Sequence, residues 1–367
     1  RGLGDVYQRQ RYTGGAERYL HLLARGIAGH GFRPVLVTAG SGGLDGLKEE
    51  VRRDGFDVFE ATRRSLCDPA GLYSTARLLG RLRPAILHVN LPGPFDAGYS
   101  LVAPVASLAG VKRIVATEHL PMAPSFAKAR ILKGFSGRFI ERTITVSRDN
   151  IDHLVGIHRV PPEKIRVVYN GIPDTGAGGV TDLRRELSFS AEAFLVAVVG
   201  SLERRKGQGT LIRAMSRLPE RVHLLVVGEG PAEKEYRDTA AGEGLGKRVR
   251  FLGYRDDVPG ILAAVDVLAV PSTLEAAPYV ILEAMAASRP VVASGIYGIP
   301  ELVEEGKTGL LVEPGNERML AEAIRTLVER NGLAERFGRA GRARYEAFFT
   351  LERSIGETVE IYRELLD

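Results

Sequence analysis

The sequence predicts an α/β protein made of two doubly wound, Rossmann-like domains, and three observations support this fold class. Apolar runs of four to six residues recur between stretches of helical periodicity. The runs lack the polar alternation of half-exposed strands, which is typical of parallel strands covered by helices on both faces. The pattern occurs once in each half of the chain, and a glycine-rich stretch at 170–180 separates the halves.

The first half carries four predicted strands and the second half carries six. Those of the first half lie at 34–38, 86–89, 113–116 and 144–146, and those of the second half lie at 195–199, 222–227, 249–252, 267–270, 290–293 and 309–312. Ligands of doubly wound sheets bind outside the carboxyl ends of the strands. We therefore expect the functional site in the cleft between the two domains.

The strand pattern and the glycine-rich stretch also set the domain boundaries. The predicted parts are an N-terminal Rossmann-like domain at 1–172, a linker at 173–191, a C-terminal Rossmann-like domain at 192–349 and a final helix at 350–367. The final helix caps its own domain or packs back on the N-terminal domain, and the sequence leaves both open. No clear apolar strand precedes Gly14. We expect that the first strand is missing from the sequence, or that a short strand near residues 5–7 replaces it.

Composition fits a globular protein of a reducing compartment. The 367 residues include one cysteine, Cys67, so an internal disulfide is excluded. No apolar run approaches the roughly 18–20 residues of a membrane span, and no signal peptide is recognised before the first domain. We expect a cytoplasmic protein, with the inner face of the cell membrane as a further location.

Charge is distributed unevenly along the chain. Residues 1–172 hold 25 Lys and Arg against 15 Asp and Glu, a net +10, whereas residues 173–367 hold 25 against 30, a net −5. A basic half favours an anionic partner such as a membrane surface or a phosphorylated lipid; a solvated basic face is the alternative. Segment 126–139 alternates basic and apolar side chains, as in a helix lying on a membrane or one packed on its own domain. No nucleic-acid-binding module is recognised.

Two glutamates follow the predicted strand at 267–270 with seven residues between them. Glu275 is predicted on the loop after the strand, and Glu283 about one and a half turns into a helix that begins near Pro278. The amide groups of the first helical turn would lie between the two carboxylates and favour an anion. A nucleotide sugar fits this pattern, because it has hydroxyls at both ends and a diphosphate in the middle. The alternative is a solvated loop glutamate and a surface glutamate on the helix.

Two adjacent cations, Arg205 and Lys206, follow the predicted strand at 195–199. At the carboxyl end of that strand they would neutralise a diphosphate leaving group without a metal ion. An Arg-Lys pair elsewhere is more often solvated surface. No group of His, Cys or carboxylate residues has metal-ligand spacing, so we expect no metal and no other cofactor.

The segment that carries Glu275 and Glu283 resembles the E-x7-E motif of the retaining glycosyltransferases of family four, which have the GT-B fold of two facing Rossmann-like domains. The resemblance covers nearly the whole chain, because further family motifs are matched in order at 14–18, 162–172, 200–207, 226–231, 249–254 and 298–312. Two positions depart from it. Ser201 stands where many relatives have Arg, and Ala276 stands where many have Gly.

The resemblance implies a role for each of these positions. Glu275 would bind hydroxyls of the donor sugar, and Glu283 the ribose diol. Arg205, ahead of its neighbour Arg204, and Lys206 would clamp the diphosphate, while His119 would hydrogen-bond the sugar near the reacting carbon. Further donor contacts are expected from Gly14, Gly15, Gly228, Phe251, Leu252, Tyr254, Ala276, Ala277, Pro278 and Tyr279.

The implied activity is transfer of a sugar, with retention of configuration, from a nucleoside-diphosphate donor to an acceptor hydroxyl. UDP is the expected nucleotide, although the residues leave the base open. The basic N-terminal half favours a lipid-linked or otherwise anionic acceptor bound by that half, as in polysaccharide or glycolipid assembly. Two alternatives remain: an epimerase or hydrolase of nucleotide sugars, against which the few carboxylates of the first domain argue, and a binding module without catalysis.

Overall fold

The structure is a computed structural model that describes residues 14–38, 44–61, 68–91, 101–120, 127–174 and 183–367, without the side chains of 127–130. Cys67, the predicted strand near residues 5–7 and the middle of the predicted linker lie outside the described residues. The chain divides into two compact units: Arg1–Asn170 together with Leu351–Asp367, and Gly171–Thr350. No helix among the described ranges is both long and apolar enough to cross a membrane.

The first unit holds two parallel sheets within its described residues. One pairs β1 (Val35–Thr38) with β2 (Asp57–Glu60), and the other joins β3 (Leu87–Leu91), β4 (Ile114–Glu118), β5 (Arg142–Thr145) and β6 (Ile165–Val167) in that order. The helices are α1 (Gly15–Ala28), α2 (Asp45–Arg53), α3 (Pro69–Leu82), α4 (Val102–Leu108), α5 (Ala127–Ser136) and α6 (Asn150–Gly156).

Two strands of the first unit, β2 and β6, have no counterpart among the predicted strands. β2 is only four residues long and begins and ends with an exposed acidic residue, so it lacks a continuous apolar run. β6 is three residues long and has arginine in its centre. Both strands form because they pair with a neighbouring strand. Local hydrophobicity does not predict such pairing.

The second unit is built on one six-stranded parallel sheet, and all six of its strands agree with the prediction to within one residue at each end. The strands are β7 (Phe194–Val199), β8 (Val222–Val227), β9 (Val249–Gly253), β10 (Val267–Val270), β11 (Val291–Ser294) and β12 (Gly309–Val312). The helices are α7 (Leu183–Glu186), α8 (Gln208–Ala214), α9 (Glu233–Gly242), α10 (Val258–Ala264), α11 (Tyr279–Ala286), α12 (Ile299–Leu302), α13 (Glu317–Glu329) and α14 (Leu333–Phe348).

The order of the strands in this sheet explains where a ligand can bind. It runs β12-β11-β10-β7-β8-β9, so the chain proceeds outward in one direction from β7 and in the other from β10. At such a reversal the connections leave for opposite faces of the sheet, which opens a crevice at the carboxyl ends of the two strands. The loop after β7 carries Arg205 and Lys206, and the loop after β10 carries Glu275.

Gly207 allows these two loops to approach each other closely. Its φ is +72°, and a Cβ built on it would lie 1.9 Å from the carbonyl oxygen of Pro271. The N–H of Thr273 donates to the carbonyl oxygen of Arg205 at 2.7 Å, which ties the same two loops together. Backbone contacts therefore fix the loop after β7 against the loop after β10.

The final helix, α15 (Leu351–Leu366), belongs to the first unit although it follows the second unit in the chain. Its buried residues Ile361 and Tyr362 form an apolar cluster with Val115 of β4 and Ile144 of β5. This packing covers one face of the first unit's four-stranded sheet.

We predict that Gly207→Ala lowers the free energy of unfolding of the second unit by about 2–5 kcal/mol. A left-handed alanine costs about 1–2 kcal/mol, and forcing an extra carbon against the Pro271 carbonyl adds about 1–3 kcal/mol. Gly244→Ala is the matched control, because Gly244 has a φ of +69° and nothing within 4 Å of an added Cβ. Denaturant unfolding measures both variants, and equal losses would contradict the proposed close approach.

Candidate functional site

A cluster of four charged side chains occupies the crevice edge of the second unit. Lys206 donates a hydrogen bond from Nζ to Oε1 of Glu275, and Nη1 of Arg205 lies 3.9 Å from the same oxygen. On its other side Arg205 donates from Nε to Oε2 of Glu203 at 2.7 Å. Glu275 is only 7% exposed. Both predicted cations therefore face the loop glutamate instead of bulk solvent.

Glu203 is a member of this cluster that the sequence analysis did not single out. Burial raises the pKa of its carboxyl group, but Arg205, a hydrogen bond from Ser201 and the charge of Lys206 together lower the pKa below its ordinary value. The carboxylate is therefore held in its charged form beside Arg205. The only signal in the sequence is that an acidic residue stands two positions before an arginine, in a loop bounded by glycines. This spacing does not predict a contact unless the conformation of the loop is known.

Arg204 differs from its neighbours in this loop. Its side chain is 83% exposed and pairs with Glu235 of α9, at 2.9 Å. Arg204 thus points to a helix on the surface of the unit, while Arg205 and Lys206 point to Glu275. The two adjacent arginines have similar chemistry and different surroundings.

The segment after Glu275 leads into α11 through a bend at Ala276 and Ala277. Ala276 and Ala277 are buried, and Pro278 is the N-cap with a ψ of 127°. The prediction that the helix begins near Pro278 is correct to one residue, but the proline precedes the first helical residue, Tyr279, because its backbone is still extended. Glu283 is the fifth residue of α11 and is half-buried.

Four of the residues predicted to contact the donor lie at the ends of β8 and β9. The partly buried ring of Phe251 packs against the core of the unit, and the guanidinium of Arg237 lies 4.4 Å from its centroid. Leu252 is half-buried, whereas Tyr254 is 49% exposed. Gly228 has a φ of +128°, and a Cβ there would lie 2.1 Å from a neighbouring carbonyl oxygen.

The predicted residues of the first unit lie at the start of α1 and the end of β4. Gly14 is the N-cap of α1 and Gly15 its first residue, and both are exposed. His119 directly follows β4 and is 8% exposed. Its Nε2 lies 2.7 Å from Oδ1 of Asn90, and the ring of Tyr19 packs edge-on against it with 4.8 Å between centroids.

A buried polar network continues from Tyr19 to the final helix. The hydroxyl groups of Tyr19 and Thr117 lie 3.1 Å apart. Nε2 of His88 lies 2.6 Å from the Thr117 hydroxyl, and Nδ1 of the same ring hydrogen-bonds the hydroxyl of Tyr362 in α15. This network was not predicted, because two residues that share one of its hydrogen bonds, His88 and Tyr362, are 274 positions apart in the chain.

Burial keeps the histidines of this region neutral. Desolvation lowers the pKa of His119 to about 4. Desolvation, with a smaller contribution from the charge of His119, lowers the pKa of His88 to about 3. Desolvation raises the pKa of Tyr19 to about 12, and the hydrogen bond from Thr117 opposes that change in part. At neutral pH these groups therefore exchange hydrogen bonds without carrying charge.

A cavity of about 1020 Å³ opens in the first unit beside the ion pair of Glu118 and Lys133, whose oxygen and nitrogen lie 2.9 Å apart. Its apolar walls include Val89, Leu91, Phe135, Ile140, Ile157 and Val160, and its basic residues include Arg138, Arg159 and Lys164. Within the described ranges, no three His, Cys, Asp or Glu side chains are grouped closely enough to hold a metal ion.

Comparison with known proteins matches the two halves of the chain separately. Residues 13–175 match the family described as "Glycosyltransferase Family 4", and residues 180–344 match that described as "Glycosyl transferases group 1". The lipopolysaccharide core biosynthesis glycosyltransferase LpsE of Rhizobium meliloti is 37% identical over 48% of this chain and 52% of its own length. Alpha-maltose-1-phosphate synthase of Mycolicibacterium smegmatis is 32% identical over 62% and 66% respectively. The chain thus spans about half to two thirds of these relatives.

Solved structures are similar over almost the whole chain. HepE of Anabaena, determined in complex with UDP-glucose, is 25% identical, with a TM-score of 0.84 and 97% of each chain covered. Sucrose-phosphate synthase of Thermosynechococcus elongatus is 23% identical, with a TM-score of 0.80, covering 96% of this chain and 94% of its own. These similarities confirm the fold class predicted from the sequence.

We predict that His119→Gln removes a pH-dependent loss of stability. The folded chain binds no proton on His119 until the pH falls to about 4, whereas the unfolded chain binds one below about 6.5. Between these values the wild type should lose about 1.4 kcal/mol per pH unit that the variant keeps. Denaturant unfolding between pH 7 and pH 4 measures the difference, and parallel profiles would contradict the burial of a neutral ring.

Proposed function

Because this chain belongs to glycosyltransferase family 4, we propose that it transfers a sugar from a UDP-sugar donor to an acceptor hydroxyl with retention of configuration. The observation that carries the proposal is the cluster of Arg205, Lys206 and Glu275 at the strand-order reversal of the second unit. Two cations and a buried carboxylate at that edge suit a ligand that joins a diphosphate to a sugar with several hydroxyls.

In the proposed mechanism, the fixed positive charges of Arg205 and Lys206 stabilise the leaving diphosphate. When the bond between the sugar and the diphosphate breaks, negative charge develops on the phosphate oxygens, and preorganised cations stabilise it. Glu203 and Glu275 hold Arg205 and Lys206 in place before the donor arrives. Lys206 has three donor hydrogens, so it can keep Glu275 and contact phosphate together.

Amide groups at the start of α11 would supply further stabilisation. The short bend at Ala276 and Ala277 and the extended Pro278 connect the loop of Glu275 directly to the first turn of the helix. The dipole of a helix places partial positive charge at its N-terminus, which attracts anions. Since a backbone contact needs no side chain, Ala276 serves here as well as the glycine of many relatives.

Retention follows if the acceptor attacks from the face that the diphosphate leaves. The leaving phosphate oxygen would then take the proton of the attacking hydroxyl, and no carboxylate base is required from the first unit. His119 is neutral at pH 7, since its pKa is lowered to about 4. It would therefore act on the sugar by hydrogen bonding and not by charge. We propose that this transfer proceeds without a bound metal ion.

The donor is proposed to be a UDP-sugar by similarity. HepE, which shares 25% of its residues with this chain over nearly its full length, was determined with UDP-glucose. In this chain Tyr254 offers an exposed ring at the end of β9, so we place the base beside Tyr254 and not on Phe251. Glu283 would bind the ribose diol from α11.

The acceptor is proposed to be lipid-linked or otherwise anionic, and to be bound by the first unit. The LpsE relative acts in lipopolysaccharide core biosynthesis. The cavity beside Glu118 combines apolar walls with basic residues, which suits an amphiphile with an anionic head. On α5, Ile131 and Phe135 are one turn apart and exposed, by 74% and 44%. These two side chains would rest on the inner face of the membrane.

We predict that Arg205→Ala lowers the transfer rate from UDP-glucose by about 10²–10³-fold, as expected when one donor to a developing anion is removed. Arg204→Ala is the matched control and should keep wild-type turnover, because Arg204 pairs with Glu235 on the surface. UDP release and the anomeric configuration of the product are measured in the presence of EDTA. Equal rates for the two variants, or an inverted product, would contradict the proposal.

We predict that the double variant Ile131→Ser with Phe135→Ser binds vesicles containing anionic lipid more weakly than the wild type, because it loses the apolar contact of α5 with the bilayer. Tyr73→Ser is the matched control, since Tyr73 is 70% exposed on α3 of the same unit. Vesicle sedimentation measures the bound fraction. Unchanged binding by the double variant would rule out α5 as the membrane contact.

A further inference from the structure

Asn90 joins two elements of the first unit that the proposed site uses. It lies near the end of β3, opposite Thr117 of β4. Its Nδ2 donates to the carbonyl oxygen of Ala16, in the first turn of α1, at 3.3 Å. Its Oδ1 lies 2.7 Å from Nε2 of His119. One side chain therefore connects the glycine-rich start of α1 with the candidate histidine after β4.

The chemistry of these two contacts fixes the hydrogen on His119. The carbonyl oxygen of Ala16 only accepts hydrogen bonds, so the amide of Asn90 must present its NH₂ group there. Its Oδ1 then faces His119, and because an amide oxygen also only accepts, Nε2 of His119 must carry the hydrogen. The arrangement is consistent in one orientation of the amide only.

The tautomer determines what the rest of the ring can do. Burial lowers the pKa of His119 to about 4, so the ring carries a single hydrogen at neutral pH. With that hydrogen on Nε2, the other nitrogen, Nδ1, is an acceptor. Within the part of the chain that the structure describes, no hydrogen bond to Nδ1 of His119 is recorded.

The ring is also held in position from its other sides. The N–H of His119 donates to the carbonyl oxygen of Leu91 at 3.1 Å, which continues the pairing of β3 with β4. The ring of Tyr19 packs edge-on against the imidazole, and the Tyr19 hydroxyl is fixed by Thr117. Rotation of the imidazole would break the bond to Asn90 and this aromatic contact together.

We propose that Asn90 is a positioning residue that sets the tautomer of His119, so that Nδ1 accepts a hydrogen bond from a hydroxyl group of the bound sugar. The sugar as ligand rests on the proposed function, whereas the tautomer does not. The proposal also gives a specificity: a donor sugar that lacks the hydroxyl facing Nδ1 leaves a buried acceptor without a partner and binds less well.

The direct test is nitrogen NMR of the protein labelled with ¹⁵N in its seven histidines. The variant His119→Gln identifies the two ring signals of His119 by their loss. In the wild type at pH 7 we expect Nε2 to appear protonated and Nδ1 unprotonated. Asn90→Ala should give a mixture of tautomers, and a wild type with the hydrogen on Nδ1, or an Asn90→Ala spectrum with the tautomer unchanged, would overturn the proposal.

The variant Asn90→Asp provides a second test, in which we expect the pKa of His119 to rise. A carboxylate beside Nε2 favours the imidazolium form, so the ring signals of His119 should titrate at higher pH than in the wild type. The titratable groups that contact the ring or interact with its charge are Tyr19 of α1 and His88 of β3, and neither is altered in this variant. An unchanged titration would mean that residue 90 does not contact the ring.

Measurements of kcat/KM then distinguish a role of Asn90 in positioning His119 from a general effect of the substitution on folding. Asn90→Ala should lower kcat/KM for transfer from UDP-glucose by about tenfold, the amount expected for one hydrogen bond. Asn150→Ala is the matched control, since this buried asparagine of the same unit donates to Thr145 at 3.0 Å and does not contact His119. A loss of kcat/KM in the control equal to that of Asn90→Ala would overturn the positioning role.

The two kinds of measurement distinguish the failure of this inference from the failure of the proposed function. If no sugar transfer is detected but the ring signals behave as expected, the proposed function fails and the tautomer assignment holds. If transfer is detected and the ring signals do not respond to Asn90, the function holds and the role of Asn90 is wrong.

Discussion

The contact between the loop after β7 and the loop after β10 is the constraint on which the candidate site of the second unit depends. These loops leave adjacent strands at the point where the strand order reverses, and Gly207 allows the backbone of one to touch the carbonyl of Pro271 in the other. With the backbones fixed, Lys206 and Glu275 meet although 68 residues separate them in the chain. A bulkier residue at 207 would displace the cations from the carboxylate they face.

The charges of this cluster are nearly balanced before any ligand is bound. Glu203 accompanies Arg205, and Glu275 accompanies Lys206. Removing charged groups from water costs free energy. A partner of opposite charge with good hydrogen-bond geometry offsets much of this desolvation cost. The two carboxylates therefore keep two partly buried cations in defined positions before any anionic ligand binds. A diphosphate would bring the negative charge that the cluster is arranged to receive.

Around His119 the first unit uses hydrogen bonds between neutral groups, whereas the candidate site of the second unit uses charged groups. His88, Thr117 and Tyr19 form a continuous path from Tyr362 of the final helix to the edge of His119. Buried polar groups are costly unless they are paired, so the network requires all its members. The final helix supplies one of them, Tyr362, and also packs Ile361 and Tyr362 into the apolar cluster of this unit.

The sequence alone determined the fold class, the six strands of the second unit and the positions of Lys206, Glu275 and Glu283, because apolar runs and the spacing of charged residues report local structure directly. It did not identify β2 or β6, whose short strands depend on pairing partners. It did not show that the ring of Phe251 packs on the core and under Arg237. The resemblance favoured Arg205 over Arg204, and the tertiary structure shows the contacts that separate them, with Arg205 near Glu275 and Arg204 paired with Glu235. Only the tertiary structure shows that Asn90 meets His119. Such contacts depend on the register of the strands and on how closely loops from distant parts of the chain approach each other. The spacing of residues along the chain does not predict either property.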